Sequence, residues 1–234
     1  MDRGTTFRPA AWFLAVAVLA TAMATPSAAG GGAEEIARAV GLLDRLEARY
    51  AALPPFTTRF RQSLESPTFG EEEQARGTIL VGRGGRIAWN YDEPPGMRAV
   101  FDGREWRLLD PEERELVVRR TDLPGREGDR LLAELLAGRV HLVDLFAVVP
   151  GEEARPGAPG RVTIRLVPRE PRDDLDWIEL AVDPAPPDLR RVVVVDPLGS
   201  RLVVELGPPV PARDGIPEGA FEIEAPGGYT ITRD

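Results

Sequence analysis

The sequence predicts a mainly β fold with about eleven short antiparallel strands and two or three short helices. Apolar and polar residues alternate over many short segments, and Gly- or Asp-containing turns separate those segments. The 23 Pro among 234 residues exclude long helices from most of the chain. A twisted sheet of that size curls or closes, because a flat one exposes long edges. We therefore expect a curled sheet whose interior is filled by helices or by a small ligand.

The first segment has the features of a secretory signal peptide. Two arginines precede an apolar run over residues 10–24, and the small residues Ser27-Ala28-Ala29 follow it. The run is shorter than the roughly 20 residues that a membrane helix needs, which makes a retained anchor the weaker alternative. No Cys follows the run, so the chain is not itself a lipoprotein. We expect residues 1–29 to be removed and residues 30–234 to form one periplasmic domain.

An amphipathic helix is predicted over residues 34–53, because apolar side chains recur there every three or four positions. Pro54 and Pro55 end this helix. The period then changes to two, so residues 56–64 are predicted to form a strand with Phe60 on its apolar side.

The later strands are short and follow one another as an antiparallel meander. They are predicted over residues 74–81, 86–91, 97–101, 104–109, 115–120, 162–167, 177–182, 189–196, 201–206, 221–224 and 229–232. Asp102-Gly103 is a two-residue hairpin signal, and residues 110–113 and 196–199 are further turns that begin with Asp. Leucines at helical spacing predict a short helix over residues 129–137, with Gly138 just past its end.

The composition excludes most familiar kinds of catalytic site. All 29 basic residues are Arg, so P-loop phosphate binding and lysine chemistry are excluded. The chain has no Cys and a single His, His141, which excludes thiolate chemistry and multi-histidine metal sites. We interpret His141 as structural. The formal net charge of −9 disfavours binding to nucleic acid or to anionic membrane surfaces.

Six short motifs occur in a fixed order along the chain. They are Phe56-x-x-x-Phe60-x-Gln62, Gly77-x-Ile79-x-Val81-x-Arg83, Trp89-x-Tyr91, Val100-x-Asp102-Gly103-x-x-Trp106, Leu131-Leu132-x-x-Leu135 followed by Phe146, and Phe221-x-Ile223-x-x-Pro226-x-Gly228-Tyr229. In this order and spacing they resemble the LolA family of periplasmic lipoprotein carriers, from about residue 33 to the end. The family commonly has Arg-Pro where this chain has Arg83-Gly84, so we expect the local turn to differ.

The resemblance implies a half-open antiparallel β-barrel covered by short helices. It also implies a non-enzymatic chaperone without a cofactor, which binds the acyl chains of lipoproteins in a hydrophobic cavity and carries them from the inner to the outer membrane. The implied partners are acylated lipoproteins, the inner-membrane lipoprotein-releasing ABC transporter, and an outer-membrane acceptor lipoprotein or the membrane itself. We expect a monomer.

The resemblance also implies which side chains line the cavity. The candidates are Phe60, Ile87, Trp89, Tyr91 and Trp106 on strands, with Leu132, Leu135 and Phe146 on the helical cover. For each of them the alternative is a plain core residue. In the family, the Arg that matches Arg83 hydrogen-bonds helix carbonyls inside the closed cavity. The alternative for Arg83 is a surface residue of the turn over residues 82–85.

Two other functions compete with the carrier. A regulatory module that senses lipids or lipoproteins, of the envelope-stress type, shares the fold but usually has a second domain. A hydrolase would need a site built from Asp, Glu, Ser or Tyr alone, and no spacing in the chain marks such a site.

Overall fold

A computed structural model of the chain describes residues 31–67, 72–120, 133–149 and 160–233. These residues form one 13-stranded sheet with a long helix packed on one of its faces. The predicted signal peptide lies outside the described residues.

The helical elements are few and all but one are short. They are α1 (Gly31–Ala52), the helical residues 133–136 (α2) and α3 (Leu142–Leu145). The strands are β1 (Phe56–Glu65), β2 (Glu72–Val81), β3 (Ile87–Glu93), β4 (Arg98–Phe101), β5 (Glu105–Asp110), β6 (Glu115–Arg120), β7 (Phe146–Val149), β8 (Val162–Pro168), β9 (Trp177–Pro184), β10 (Pro187–Val195), β11 (Arg201–Leu206), β12 (Val210–Pro211) and β13 (Thr230–Arg233). Single 3-10 turns occupy Arg83–Gly85 and Glu218–Phe221.

The strand order shows an open sheet made of two halves. It runs β13-β6-β5-β4-β3-β2-β1-β11-β10-β9-β8-β7, with β12 added beside β1. The halves meet where β1 pairs with β11, and β7 and β13 lie at the two outer edges. This architecture confirms the predicted mainly β, half-open fold. The sheet has thirteen strands instead of about eleven, and β7 and β12 are among those that the sequence did not predict.

Helix α1 lies where the sequence predicts it, with its apolar stripe on the sheet. Leu43, Leu46 and Tyr50 are buried, while the residues between them on the other side are exposed or half-buried. No helix among the described residues is long and apolar enough to cross a membrane. We call the sheet face under α1 the inner face, and α1 together with residues 133–145 the helical cover.

Strand β1 shows the predicted alternation most clearly. Phe56, Thr58, Phe60 and Gln62 are buried, and Arg59 and Arg61 between them are exposed. Full pairing with β2 over ten residues and with β11 over six places this buried row at the centre of the inner face.

Three turns depend on the Asp with which each begins. The carboxylates of Asp102, Asp110 and Asp196 each accept hydrogen bonds from two following backbone N–H groups, at 2.8–3.1 Å. The first turn is longer than the predicted two-residue hairpin. Phe101 pairs with Trp106, so that two aromatic side chains face each other across β4 and β5.

The predicted strand over residues 221–224 is absent. Phe221 ends a 3-10 turn, and residues 222–226 are irregular. The Arg98 guanidinium donates hydrogen bonds to the carbonyl of Ala220 at 3.0 Å and to that of Glu222 at 3.5 Å. A side chain thus bonds two carbonyls that would otherwise accept from a neighbouring strand. Strand β13 instead pairs in parallel with β6.

The middle of the chain departs from the prediction at Phe146. This residue is not on the helical cover but is the first residue of edge strand β7, where it is fully buried. The helix predicted over residues 129–137 is confirmed in its described part, because residues 133–136 are helical. Gly138 has a φ of 62° and donates its N–H to Leu135 O at 3.0 Å, as expected for the glycine after a helix.

Candidate functional site

Five aromatic side chains form a continuous row across the inner face. We call this set, Phe60, Trp89, Tyr91, Phe101 and Trp106, the aromatic row. Phe60 lies edge-on to Tyr91 with ring centroids 5.2 Å apart, and to Trp89 at 6.5 Å. Trp106 lies 5.5 Å from Trp89 and 5.2 Å from Phe101. The row therefore spans five neighbouring strands of one half of the sheet, β1 to β5, and all of these except β2 contribute a side chain.

Gly77 on β2 leaves the space that this row needs. It stands opposite Phe60, and an added Cβ would come within 2.9 Å of the Phe60 ring and would overlap the carbonyl of Asn90. A side chain at this position would displace the ring on which Tyr91 and Trp89 pack.

The aromatic row belongs to a single apolar cluster that spans both halves of the sheet. The second half contributes buried aliphatic residues from strands β8 to β11, such as Ile164, Leu180 and Val192. The helical cover contributes Leu43 and Leu136. An apolar surface built from two halves of one open sheet is thus covered by helices and not by a second sheet.

The predicted cavity residues come together in this cluster. Phe60, Ile87, Trp89, Leu135 and Phe146 are buried in it, and Tyr91 and Trp106 pack against it as partly buried residues. Leu132 lies outside the described residues. Sequence reasoning missed Phe101, because the predicted two-residue hairpin does not place it opposite Trp106.

The polar side chains of Thr58, Gln62 and Tyr91, close to the aromatic row, are neutral and are paired within the chain. Thr58 Oγ1 donates to Gly207 O at 2.9 Å, and the Tyr91 hydroxyl shares a hydrogen bond with the Gln62 side chain. Burial raises the pKa of Tyr91, so its hydroxyl stays protonated. The aromatic row and these neighbours therefore offer apolar contact without charge.

Helix α1 is tied to the far half of the sheet through its last turn. Arg49 Nε donates to the buried Asp188 carboxylate at 2.8 Å, and the Tyr50 hydroxyl accepts from Leu189 N at 3.3 Å. Burial raises the pKa of Tyr50 to about 12. These contacts fix the end of α1 against β10.

A second tie joins α1 to residues 141–142. Glu47 Oε2 lies 2.7 Å from His141 Nδ1, and Glu47 Oε1 accepts from Leu142 N at 2.9 Å. The hydrogen bond with Glu47 raises the pKa of His141. The partner of His141 thus lies 94 positions away in sequence.

Comparison with known families identifies the chain. The family model described as outer membrane lipoprotein carrier protein LolA matches residues 52–212, which include both halves of the sheet. The chain belongs to the LolA family. An outer-membrane lipoprotein carrier protein from Bordetella pertussis is 26% identical over 226 residues, which cover 97% of this chain and 98% of that protein. An outer-membrane lipoprotein carrier protein from Dechloromonas aromatica is 23% identical over 191 residues, which cover 82% of this chain and 87% of that protein.

Solved structures similar to this LolA-family chain are more distant. A LolA superfamily protein from Nitrosomonas europaea matches with a TM-score of 0.42 and 12% identity, covering 78% of this chain and 96% of that one. The Pseudomonas aeruginosa MucA/MucB complex matches with a TM-score of 0.41 and 14% identity, covering 80% of this chain and 62% of that one. At these TM-scores neither likeness bears on function.

A second arginine, Arg139, makes a contact at the turn that contains Arg83. Arg83 is exposed in its turn, and its side chain makes no hydrogen bond or ion pair with any described residue. Arg139, just after α2, donates instead from Nη1 to the carbonyl of Gly84 and lies over Gly85. The donor thus sits on the helical cover and the acceptor in the turn of the sheet, the reverse of the family pattern. The cavity role of Arg83 stays a prediction.

The same contact borders a cavity of about 310 Å³ in this LolA-family chain. Its lining includes the buried side chains of Tyr50, Phe56 and Leu136, and its rim carries Arg83 and Arg139. The cavity lies where the end of α1, the turn after β2 and the end of α2 meet, at the border of the apolar cluster.

Proposed function

We propose that the chain is a periplasmic carrier that holds the acyl chains of lipoproteins against its inner face and takes them from the inner to the outer membrane. One observation carries the proposal: the aromatic row and the aliphatic residues of both sheet halves form one uncharged surface, which helices cover in the described part of the chain. Membership of the LolA family supports this role, as does the similarity to outer-membrane lipoprotein carrier proteins.

The free energy at stake explains why a large surface is needed. A triacylated lipoprotein carries on the order of 45 methylene groups, so at about 0.8 kcal/mol each its exposure to water costs roughly 35 kcal/mol. Contact with aromatic and aliphatic side chains removes that cost without directional chemistry. We propose a binding role without catalysis, since the chain has no Cys or Lys and its single His is tied to Glu47.

Cargo uptake requires movement of the helical cover. Leu43, Leu46 and Leu136 of the cover are fully buried, so the chain's own side chains fill the space over the inner face. Acyl chains would replace these leucines, with the cover displaced from the sheet. The cavity at Leu136 marks the place where this separation would begin.

The proposal includes the route and the partners that family membership suggests. Residues 1–29 would direct export and be removed, leaving a monomer in the periplasm. The inner-membrane lipoprotein-releasing ABC transporter would supply the acylated protein, and an outer-membrane acceptor lipoprotein, or the membrane itself, would receive it.

Tryptophan quenching tests the binding face directly. After removal of residues 1–29 the chain keeps Trp89 and Trp106 on the inner face and Trp177 on the opposite face, where it packs with Val193 and Val203. A peptide with brominated acyl chains should quench the fluorescence of the unaltered protein and of the Trp177→Phe variant. It should leave a Trp89→Phe/Trp106→Phe variant almost unquenched, because that protein retains only Trp177.

Competition separates the carrier from the regulatory alternative. An unbrominated acylated peptide should restore the fluorescence, and the same peptide without acyl chains should not. Equal quenching of Trp177 in the double variant would place the cargo away from the aromatic row and contradict the proposal. Equal competition by the non-acylated peptide would show that the protein recognises polypeptide, in favour of a regulatory module.

A further inference from the structure

Three side chains with metal-binding atoms meet beside the helical cover. Asp44 and Glu47 stand three positions apart on α1, so they project from the same side of the helix, and His141 precedes α3. One ligand atom from each of the three lies within 4.8 Å of the other two. Sequence reasoning did not predict this group, because 94 positions separate Glu47 from His141.

Glu47 is oriented as a ligand carboxylate would be. Only 8% of it is exposed, and its Oε1 is fixed by the hydrogen bond from Leu142 N at 2.9 Å. Its other oxygen, Oε2, therefore points at His141 Nδ1, 2.7 Å away. Carboxylates that bind metals are commonly held by such an outer hydrogen bond, which fixes the oxygen left for the ion. Asp44 and His141 are exposed, so an ion and a water molecule can reach the group.

We propose that Asp44, Glu47 and His141 form a binding site for one divalent transition-metal ion, with Zn²⁺ as the best match. One imidazole nitrogen, two carboxylate oxygens and a water molecule make the four-coordinate set that Zn²⁺ accepts, whereas Mg²⁺ and Ca²⁺ prefer oxygen ligands alone. Tetrahedral ligands about 2.1 Å from zinc lie about 3.4 Å from one another. Glu47 Oε2 and His141 Nδ1, now 2.7 Å apart, must therefore separate by about 0.7 Å, while an atom pair at the 4.8 Å limit must approach by about 1.4 Å. Side-chain rotation at the exposed Asp44 and His141 allows both changes.

The ion takes the place of the hydrogen between His141 and Glu47. The imidazole then binds through Nδ1 as the neutral tautomer that carries its hydrogen on Nε2. A neutral His141 moves its hydrogen from Nδ1 to Nε2 through solvent, a protonated His141 releases one proton to solvent, and no oxidation occurs. Bound in this way, the ion cross-links α1 to the segment that leads into α3, two parts of the helical cover. Metal binding would thus stabilise the covered state of the inner face, whatever the cargo.

Calorimetric titration of the untagged, EDTA-treated chain with ZnCl₂ tests the site. The unaltered protein should bind one Zn²⁺, and Asp44→Asn and His141→Gln should each weaken binding by at least about tenfold. Both altered residues are exposed, so the fold should persist, as circular dichroism will show. Glu35→Gln is the matched control, because Glu35 is an exposed acid on α1 outside the group, and it should bind Zn²⁺ unchanged.

Two further readouts decide the outcome. Zn²⁺ should raise the Tm of the unaltered protein and of the Glu35→Gln control but not that of His141→Gln. X-ray absorption of the zinc-loaded protein should show one nitrogen and three oxygen neighbours. Absence of stoichiometric binding, or binding that His141→Gln leaves unchanged, would overturn the proposal.

Discussion

The hydrogen bond from Arg139 to the carbonyl of Gly84 should stabilise the closed position of the helical cover over the sheet. Replacing Arg139 with Gln removes the guanidinium donor that joins the end of α2 to the turn after β2. Nearly all other contacts of α2 remain, because Leu135 and Leu136 stay buried in the apolar cluster. The variant should therefore fold normally but open more often at this end.

The expected increase in local opening follows from the free energy of this one hydrogen bond. A hydrogen bond contributes a net free energy of about 1 kcal/mol, and the exposure of Arg139 keeps it from being larger. A loss of about 1 kcal/mol multiplies the equilibrium constant for local opening by about five. Global stability should change by less than about 1 kcal/mol, since the sheet is untouched.

Hydrogen exchange measures this opening at three amides. The N–H groups of residues 137, 138 and 139 are bonded to the carbonyls of residues 133, 135 and 134, at 2.8–3.0 Å. Their exchange should be about fivefold faster in Arg139→Gln, while that of β2 stays unchanged. Arg83→Gln is the matched control and should leave all of them unchanged. Equal exchange in Arg139→Gln and the unaltered protein would show that this contact does not hold the cover, and faster exchange in Arg83→Gln would return the role to Arg83.

Three further predictions concern stability. Gly138→Ala should lower the free energy of unfolding in urea by more than about 2 kcal/mol, because its φ is 62° and a Cβ would overlap the backbone of α1. The control Gly215→Ala, at a φ of 78° with open space around it, should lose only about 1 kcal/mol, and equal losses would contradict the packing argument. Phe221→Ala should lower the free energy of unfolding by about 3–5 kcal/mol, because Phe221 is buried. It should leave binding of acylated peptide unchanged, because Phe221 lies in a separate cluster from the inner face. Weaker binding by the folded variant would refute this separation. Burial opposes ionisation of Asp183, but hydrogen bonds, foremost that from Arg190, lower its pKa below 3.8. Its contribution to stability should therefore be complete above that pH and lost as the pH falls through the lowered pKa, so a thermal-unfolding series in acid should lack this step in Asp183→Asn.

The sequence predicts well those features that depend on neighbouring residues. Alternation in β1 and β3 places Phe60, Ile87, Trp89 and Tyr91 on one face, because successive side chains of a strand point to opposite sides. Helix α1 is predicted almost to its ends for the same kind of reason. The Asp-initiated turns follow from side-chain hydrogen bonds that span two to four residues.

Features that depend on distant residues were out of reach. The N–H groups of Arg104 and Glu105 donate to the Asp102 carboxylate and form a longer turn, which shifts the register and brings Phe101 opposite Trp106. Apolar and polar residues alternate over residues 221–224 as in a strand. However, the Arg98 side chain, over 100 positions away, donates hydrogen bonds to the carbonyls of Ala220 and Glu222. The resemblance pointed to Arg83, and only the folded chain shows that Arg139 reaches the same turn from the cover.

The packed inner face places a limit on how the proposed carrier can work. Full exposure of Leu43, Leu46 and Leu136 would cost about 5–9 kcal/mol together, at about 1.5–3 kcal/mol for each side chain. Burial of three acyl chains is worth roughly 35 kcal/mol, so cargo can displace these leucines with a large excess. Without cargo, the same leucines keep the apolar cluster from water and favour the covered state. Release then requires an acceptor that buries the acyl chains at least as well, because return of the cover alone recovers only a small part of their free energy.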